Sequence, residues 1–253
     1  MSTIRNFFAT LKLLVIYITL GPLVGFIGIP WTLLTKDITW LYWAAMWVTR
    51  AGIRASGIKV TEVGFERIPA DRACIFMCNH VSNLDPPILL PAIPTRCSVL
   101  LKKELMKIPI LGTAMTMGGF IPVERGHRRD AAQATVAAAG KAIADGLNIV
   151  VFPEGTRSMN GRLSTFKKGP FFLAMQTGAP IIPVAISGTQ RLMAKGSSLV
   201  TPGAVTIEML GLIDPRNYDS REQLMNAVRD AIAAALPEEM KPEWQLRTVE
   251  NRS

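Results

Sequence analysis

From Leu13 to Thr35 the chain runs for 23 residues without a charge, preceded by Arg5 and Lys12. Such a run is long enough to cross a hydrocarbon layer of about 30 Å, so it must be buried either in protein or in lipid. Gly21-Pro22, Gly25, Gly28 and Pro30 interrupt it, and proline costs a helix one of its hydrogen bonds, which argues against a single straight spanning helix. A second segment, Ile38 to Ile53, carries Trp40, Tyr42, Trp43 and Trp47, and together with Trp31 it accounts for four of the five tryptophans. Rings with an apolar body and a polar N–H or O–H favour the headgroup level of a membrane. Lys36, Arg50 and Arg54 flank the segment, placed for lipid phosphates. Residues 1–54 therefore read as a membrane-contacting helical hairpin, and 55–253 as a folded domain. Whether the hairpin spans the bilayer or lies in one leaflet stays open. No small-x-small cleavage site closely follows the apolar run, which argues against a cleaved signal peptide.

Hydrophobic residues make up 49% of the chain and charged ones 19%, a composition that excludes a disordered or fibrous protein. Three cysteines cannot build a disulfide framework, and two histidines with no CxxC pair leave few zinc ligands. Cys74, Cys78 and Cys97 read as buried, reduced thiols. After residue 55 short apolar runs alternate with helical patterns. The runs are Ile58–Val63, Cys74–Cys78, Cys97–Leu101, Phe120–Val123, Asn148–Phe152, Ile181–Ile186 and Val205–Leu210. One helix is expected from an Asp130 N-cap to Gly146 at the C′ position. Another is expected from Ser220, with Gln223 at capping-box spacing and Leu224, Val228 and Ile232 on one face. The alternation predicts an α/β fold with a mostly parallel central sheet flanked by helices. The tail from Pro237 reads as polar and peripheral.

In such sheets chemistry gathers where strands end. The run ending at Cys78 is followed by Asn79-His80-Val81-Ser82-Asn83-Leu84-Asp85-Pro86-Pro87. A carboxylate five residues from a histidine can fix its tautomer and leave the other ring nitrogen free to take a proton, although this spacing alone is weak. The run ending at Phe152 leads into Pro153-Glu154-Gly155-Thr156-Arg157-Ser158, where charged residues stand at a turn that usually takes small ones. A third strand end delivers Arg125 after Phe120, and a fourth, IIPVAISG from Ile181, opens another loop.

Four such strand ends in this order resemble the glycerolipid acyltransferases, most of all the bacterial 1-acylglycerol-3-phosphate (lysophosphatidate) acyltransferases. Asn79, His80 and Asp85 match the family's NHxxxxD motif. Phe120 and Arg125 match its GxxFxxR-like motif, with Pro122 to Glu124 departing from the commonest spelling. Residues 152–158 spell FPEGTRS, and Pro183 stands in the fourth, proline-containing strand. The resemblance covers roughly residues 55–215 and extends to the apolar N-terminus. It implies acyl transfer from a thioester, acyl-CoA or acyl carrier protein, to the sn-2 hydroxyl of lysophosphatidic acid. His80 would be the base and Asp85 its orienter, with no covalent enzyme intermediate and no cofactor. It also implies a phosphate site at Arg125, with Lys102 or Lys103 as a second charge, and Glu154 and Arg157 fixing the acceptor. Backbone N–H groups near Gly155 and Thr156 are candidates for an oxyanion site. No GxSxG elbow is present, which argues against a lipase. Related enzymes acylate glycerol 3-phosphate, other lysophospholipids or lyso-ornithine lipids, so the acceptor stays open.

Lys167 and Lys168 read equally as substrate-facing or as a solvated helix start. His127 reads as a surface or phosphate-facing residue, and the twelve methionines as core or lipid-facing filler. The formal charge is +9, and residues 96–129 hold seven basic against two acidic side chains, which suits a landing site for anionic lipid at the cytoplasmic face of the cell membrane. A nucleic-acid binder would interleave aromatic and basic residues along a groove; here the aromatics cluster in the apolar N-terminus. A non-catalytic lipid-binding module would keep the hairpin without needing His80 and Asp85 together.

Overall fold

A computed structural model describes residues 2–123, 129–193 and 196–242. Seven strands, β1 (Ile58–Val63), β2 (Ile75–Cys78), β3 (Cys97–Lys102), β4 (Ile121–Val123), β5 (Asn148–Val151), β6 (Ile181–Ser187) and β7 (Gly203–Met209), form one sheet in the order β1-β7-β6-β2-β5-β3-β4. From β6 to β4 every pairing is parallel. β7 runs antiparallel to β6, and β1 parallel to β7. The expected α/β architecture is therefore present, with its direction reversed at one side.

The central strands are buried on both faces, and the twofold alternation of side chains splits the core in two. Phe76, Cys78, Val99, Val150 and Ile182 face helix α3 (Asp85–Ala92) together with residues of the N-terminal helices. Ile75, Met77, Ile149, Val151 and Ile181 face α5 (Arg129–Ala144), α6 (Gly169–Thr177) and α8 (Arg221–Ala235). The three cysteines are free and buried, and burial raises the thiol pKa of each. Two short helices complete the fold, α4 (Leu111–Met117) and α7 (Thr189–Leu192).

Helix ends follow local chemistry. The N–H of Gly146 (φ 81°) bonds the Ile143 carbonyl and that of Leu147 bonds Ala142, a Schellman stop at the expected place. Asp130, expected as the N-cap, lies one residue inside the first turn of α5, where an acid still complements the helix dipole. Ser220 caps α8 through the Gln223 N–H, while the Gln223 side chain reaches back past the cap to the Asp219 N–H. The tail docks better than its polarity suggested, because Met240 is buried and its carbonyl accepts from the Leu163 N–H.

The N-terminal segments form α1 (Ser2–Thr35) and α2 (Thr39–Ala55). The glycines and prolines expected to speak against a single straight helix do not end it, since α1 continues through Pro22 and Pro30. Two of the glycines are contact points. A Cβ on Gly28 would stand 2.6 Å from Leu41 Cδ1, and one on Gly25 would collide with Ile110. Gly52 of α2 gives the same close approach to Tyr17. The helix thus trades propensity for a tight crossing that only glycine allows. Helix α2 is pinned to the sheet and to α3, as the Tyr42 hydroxyl accepts from the Cys97 N–H of β3 at 2.9 Å and Arg50 donates to the Pro91 carbonyl of α3.

Candidate active site

Five parallel strands point their C-terminal ends at one edge, so His80 after β2, Glu154 after β5, Lys102 at the end of β3 and Thr189 after β6 rise from the same rim. Strands β2 and β5 are neighbours, and the chain leaves them on opposite faces, over α3 from β2 and over α6 from β5. The two polar turns that the sequence singles out therefore meet above the middle of the sheet.

His80 Nδ1 and Asp85 Oδ2 are 2.8 Å apart. Oδ2 also accepts the N–H groups of Val81 and Ser82, each at 2.8 Å. Surrounded by donors, the carboxylate acts as an acceptor throughout, which places the ring proton on Nδ1 and leaves Nε2 as the free base. Asp85 opens α3, and Pro86 and Pro87 follow it inside the first turn, where a missing N–H costs nothing. The two prolines thus stand where a helix begins, a place that tolerates them. Asp85 is fully buried. A desolvated carboxylate is costly, and charge-assisted hydrogen bonds, worth about 1.5–3 kcal/mol each, offset that cost. The imidazole is 18% exposed and tilts on Phe152, ring centroids 4.3 Å apart.

Glu154 joins the two turns. Its Oε1 accepts the His80 N–H at 2.6 Å and its Oε2 accepts the Ser164 N–H at 2.9 Å. Burial pushes its carboxyl above the ordinary glutamate value, and the two N–H donors oppose that push. The Ser158 N–H donates to the His80 carbonyl at 2.9 Å, closing the same junction.

His80 faces a cavity of about 1120 Å³, with Asp85 buried behind it. Its wall is apolar where α2 and α4 supply Leu41, Tyr42, Met46, Leu111 and Met115, and it is basic at Lys102, Arg157 and Lys167. Gly155 and Thr156 also line it, but the Gly155 N–H is committed to the Phe152 carbonyl at 3.0 Å. Lys103 opens the 3-10 turn that follows Lys102. Lys167 and Lys168 part company, since Lys168 pairs with Glu222 at 3.1 Å on the surface. Arg125 and His127 lie outside the described residues. One residue bonded to this pair is not marked by any motif in the sequence. Thr189, fully buried, donates its hydroxyl to Asp85 Oδ1 at 2.6 Å across 104 positions. Its signal was a polar residue at the end of an apolar strand; its partner follows only from β6 lying beside β2.

Comparison with known proteins agrees with this geometry. The sequence model of the Acyltransferase family matches residues 59–187. The 1-acyl-sn-glycerol-3-phosphate acyltransferase of Borreliella burgdorferi is 34% identical over 183 residues, which are 72% of this chain and 73% of that protein. The human 1-acyl-sn-glycerol-3-phosphate acyltransferase beta is 33% identical over 168 residues, covering 66% of this chain and 60% of the human one. The crystal structure of the 1-acyl-sn-glycerophosphate (LPA) acyltransferase PlsC from Thermotoga maritima superposes with a TM-score of 0.77 at 29% identity, over 92% of this chain and 95% of that one. With its own His-Asp pair and FPEGTRS turn meeting at one strand edge, this chain belongs to the acyltransferase family.

Proposed function

We propose that this acyltransferase moves a fatty acyl group from an acyl thioester to the sn-2 hydroxyl of 1-acylglycerol 3-phosphate, giving phosphatidic acid. His80 Nε2 takes the hydroxyl proton as the oxygen attacks the thioester carbonyl. Asp85, on Nδ1, stabilises the imidazolium that results. Collapse of the tetrahedral species breaks the C–S bond, and the imidazolium returns the proton to the departing thiolate. No acyl group passes to the enzyme. The observation that carries this reading is His80, 2.8 Å from Asp85, at the wall of a largely apolar cavity of about 1120 Å³. Such a space suits an acyl chain, and Lys102, Arg157 and Lys167 on the same wall suit the phosphate. By resemblance Arg125 joins them. Helix α1 is long and apolar enough to cross a membrane, which supports attachment to the cell membrane; the site is proposed to lie at its cytoplasmic face, where acyl-CoA and acyl carrier protein are both within reach.

The test is a direct assay of purified protein with lysophosphatidate, glycerol 3-phosphate and lyso-ornithine lipid, each with acyl-CoA and with acyl carrier protein as donor. Phosphatidic acid formed from lysophosphatidate at the highest kcat/KM supports the assignment. A higher kcat/KM on either other acceptor overturns it.

A further inference from the structure

Asp85 is held from two directions. Its Oδ2 is bonded within its own loop, by His80, Val81 and Ser82. Its Oδ1 is bonded by the Thr189 hydroxyl at 2.6 Å, from the far side of β6 in sequence. Both Asp85 and Thr189 are at 0% exposure, so bulk solvent does not reach this contact. The Thr189 contact belongs to a wider seam. Asn79 Nδ2 donates to the Ile186 carbonyl at 2.9 Å, and the Ile186 N–H returns a bond to Asn79 Oδ1 at 2.8 Å. Ser82 Oγ donates to the Met193 carbonyl at 2.8 Å. Three side chains of the 79–85 loop therefore clasp the segment 186–193. Gly188 makes the segment possible, because its φ of 101° and the close Ala204 carbonyl leave no place for a side chain.

We propose that Thr189 is a positioning residue for the His80–Asp85 pair. A carboxylate turns about its Cβ–Cγ bond in a broad, shallow well. The three donors on Oδ2 already oppose that rotation, and the Thr189 hydroxyl on Oδ1 holds the other end of the group, so that the plane of the carboxylate is fixed from both sides with Oδ2 on Nδ1. The Thr189 hydroxyl also supplies Oδ1 with a donor where bulk water cannot. This inference rests on the reading of His80 as the base.

The test compares Thr189→Val, which keeps the shape and deletes the hydroxyl, with Thr189→Ser, which keeps the hydroxyl. The full-length proteins are assayed with lysophosphatidate, beside His80→Ala. Thr189→Val lowers kcat about tenfold, the scale expected of a buried acceptor left without its donor, while the acceptor KM stays within about twofold. Thr189→Ser recovers most of the rate. An unchanged kcat in Thr189→Val overturns the proposal, and so does an equal loss in both variants or a loss carried by KM alone. If Thr189→Val does not fold, Thr189→Cys takes its place. Its S–H is a weak donor, so its kcat falls below that of Thr189→Ser, and equal rates in the two reject the proposal. Normal transfer by His80→Ala would instead remove the base assignment itself, which separates the two failures.

Discussion

At the scale of single residues, Glu154 shows how a motif position and its role come apart. The family resemblance implies that it touches the acceptor. In the structure both of its oxygens are taken by backbone N–H groups, those of His80 and Ser164. An amide cannot copy that arrangement, since its NH2 end would face one of the two donors. Glu154→Gln should therefore destabilise the fold by about 2 kcal/mol and lower kcat by shifting the His80 backbone, leaving the acceptor KM nearly unchanged. Steady-state kinetics and thermal unfolding of the detergent-solubilised variant check this. A rise in KM with kcat intact would return Glu154 to the acceptor. Sequence identified this residue by its place in the FPEGTRS turn. Its partners depend on β5 pairing with β2, a register that local pattern does not encode.

At the scale of elements, β1 was legible to the residue and the other strands to within two residues at either end, because apolar runs between polar turns report burial directly. The same local reasoning failed for α1. Glycine and proline lower helix propensity whatever surrounds them, but Gly25 and Gly28 are compensated by the close packing of Ile110 and Leu41, which is long-range information. Identical substitutions should then act with opposite signs at two helical glycines. At Gly140 a new Cβ would meet Thr177 Cγ2 at an ordinary 3.6 Å, so Gly140→Ala should raise stability by about 1 kcal/mol through helix propensity. At Gly28 the Cβ would stand 2.6 Å from Leu41 and 2.9 Å from Trp40, and the gain is lost to overpacking. Melting temperatures in detergent should move up for the first and down for the second. The Arg125 phosphate contact was read from motif alone and lies outside the described residues.

At the scale of the whole molecule, the N-terminal helices have an inner face and an outer one. Helix α2 walls the cavity and is bonded to β3 through Tyr42, while α1 and α2 leave Phe26, Trp31, Leu34, Trp40 and Trp47 exposed. Solvated, such a surface is unfavourable by about 25 cal/mol for each Å² of apolar area; against lipid it is not. Replacing Trp31 and Trp47 together by alanine should weaken co-sedimentation with phosphatidylglycerol vesicles by about tenfold or more, with thermal stability little changed because more than half of each side chain is exposed. Binding equal to that of the parent would move the attachment elsewhere. Because α2 is part of the cavity, removing residues 1–54 should abolish transfer as well as membrane binding.

The proposed mechanism requires that His80, held by Asp85 and through it by Thr189, take the proton from the acceptor hydroxyl. The most direct measurement is kcat for acyl transfer to lysophosphatidate by full-length His80→Ala protein, with its melting temperature recorded beside the parent's. A general base is worth about 10² to 10⁴ in rate, so kcat should fall by at least about a hundredfold while the protein stays folded. A folded His80→Ala enzyme with kcat within a few-fold of the parent would contradict the account.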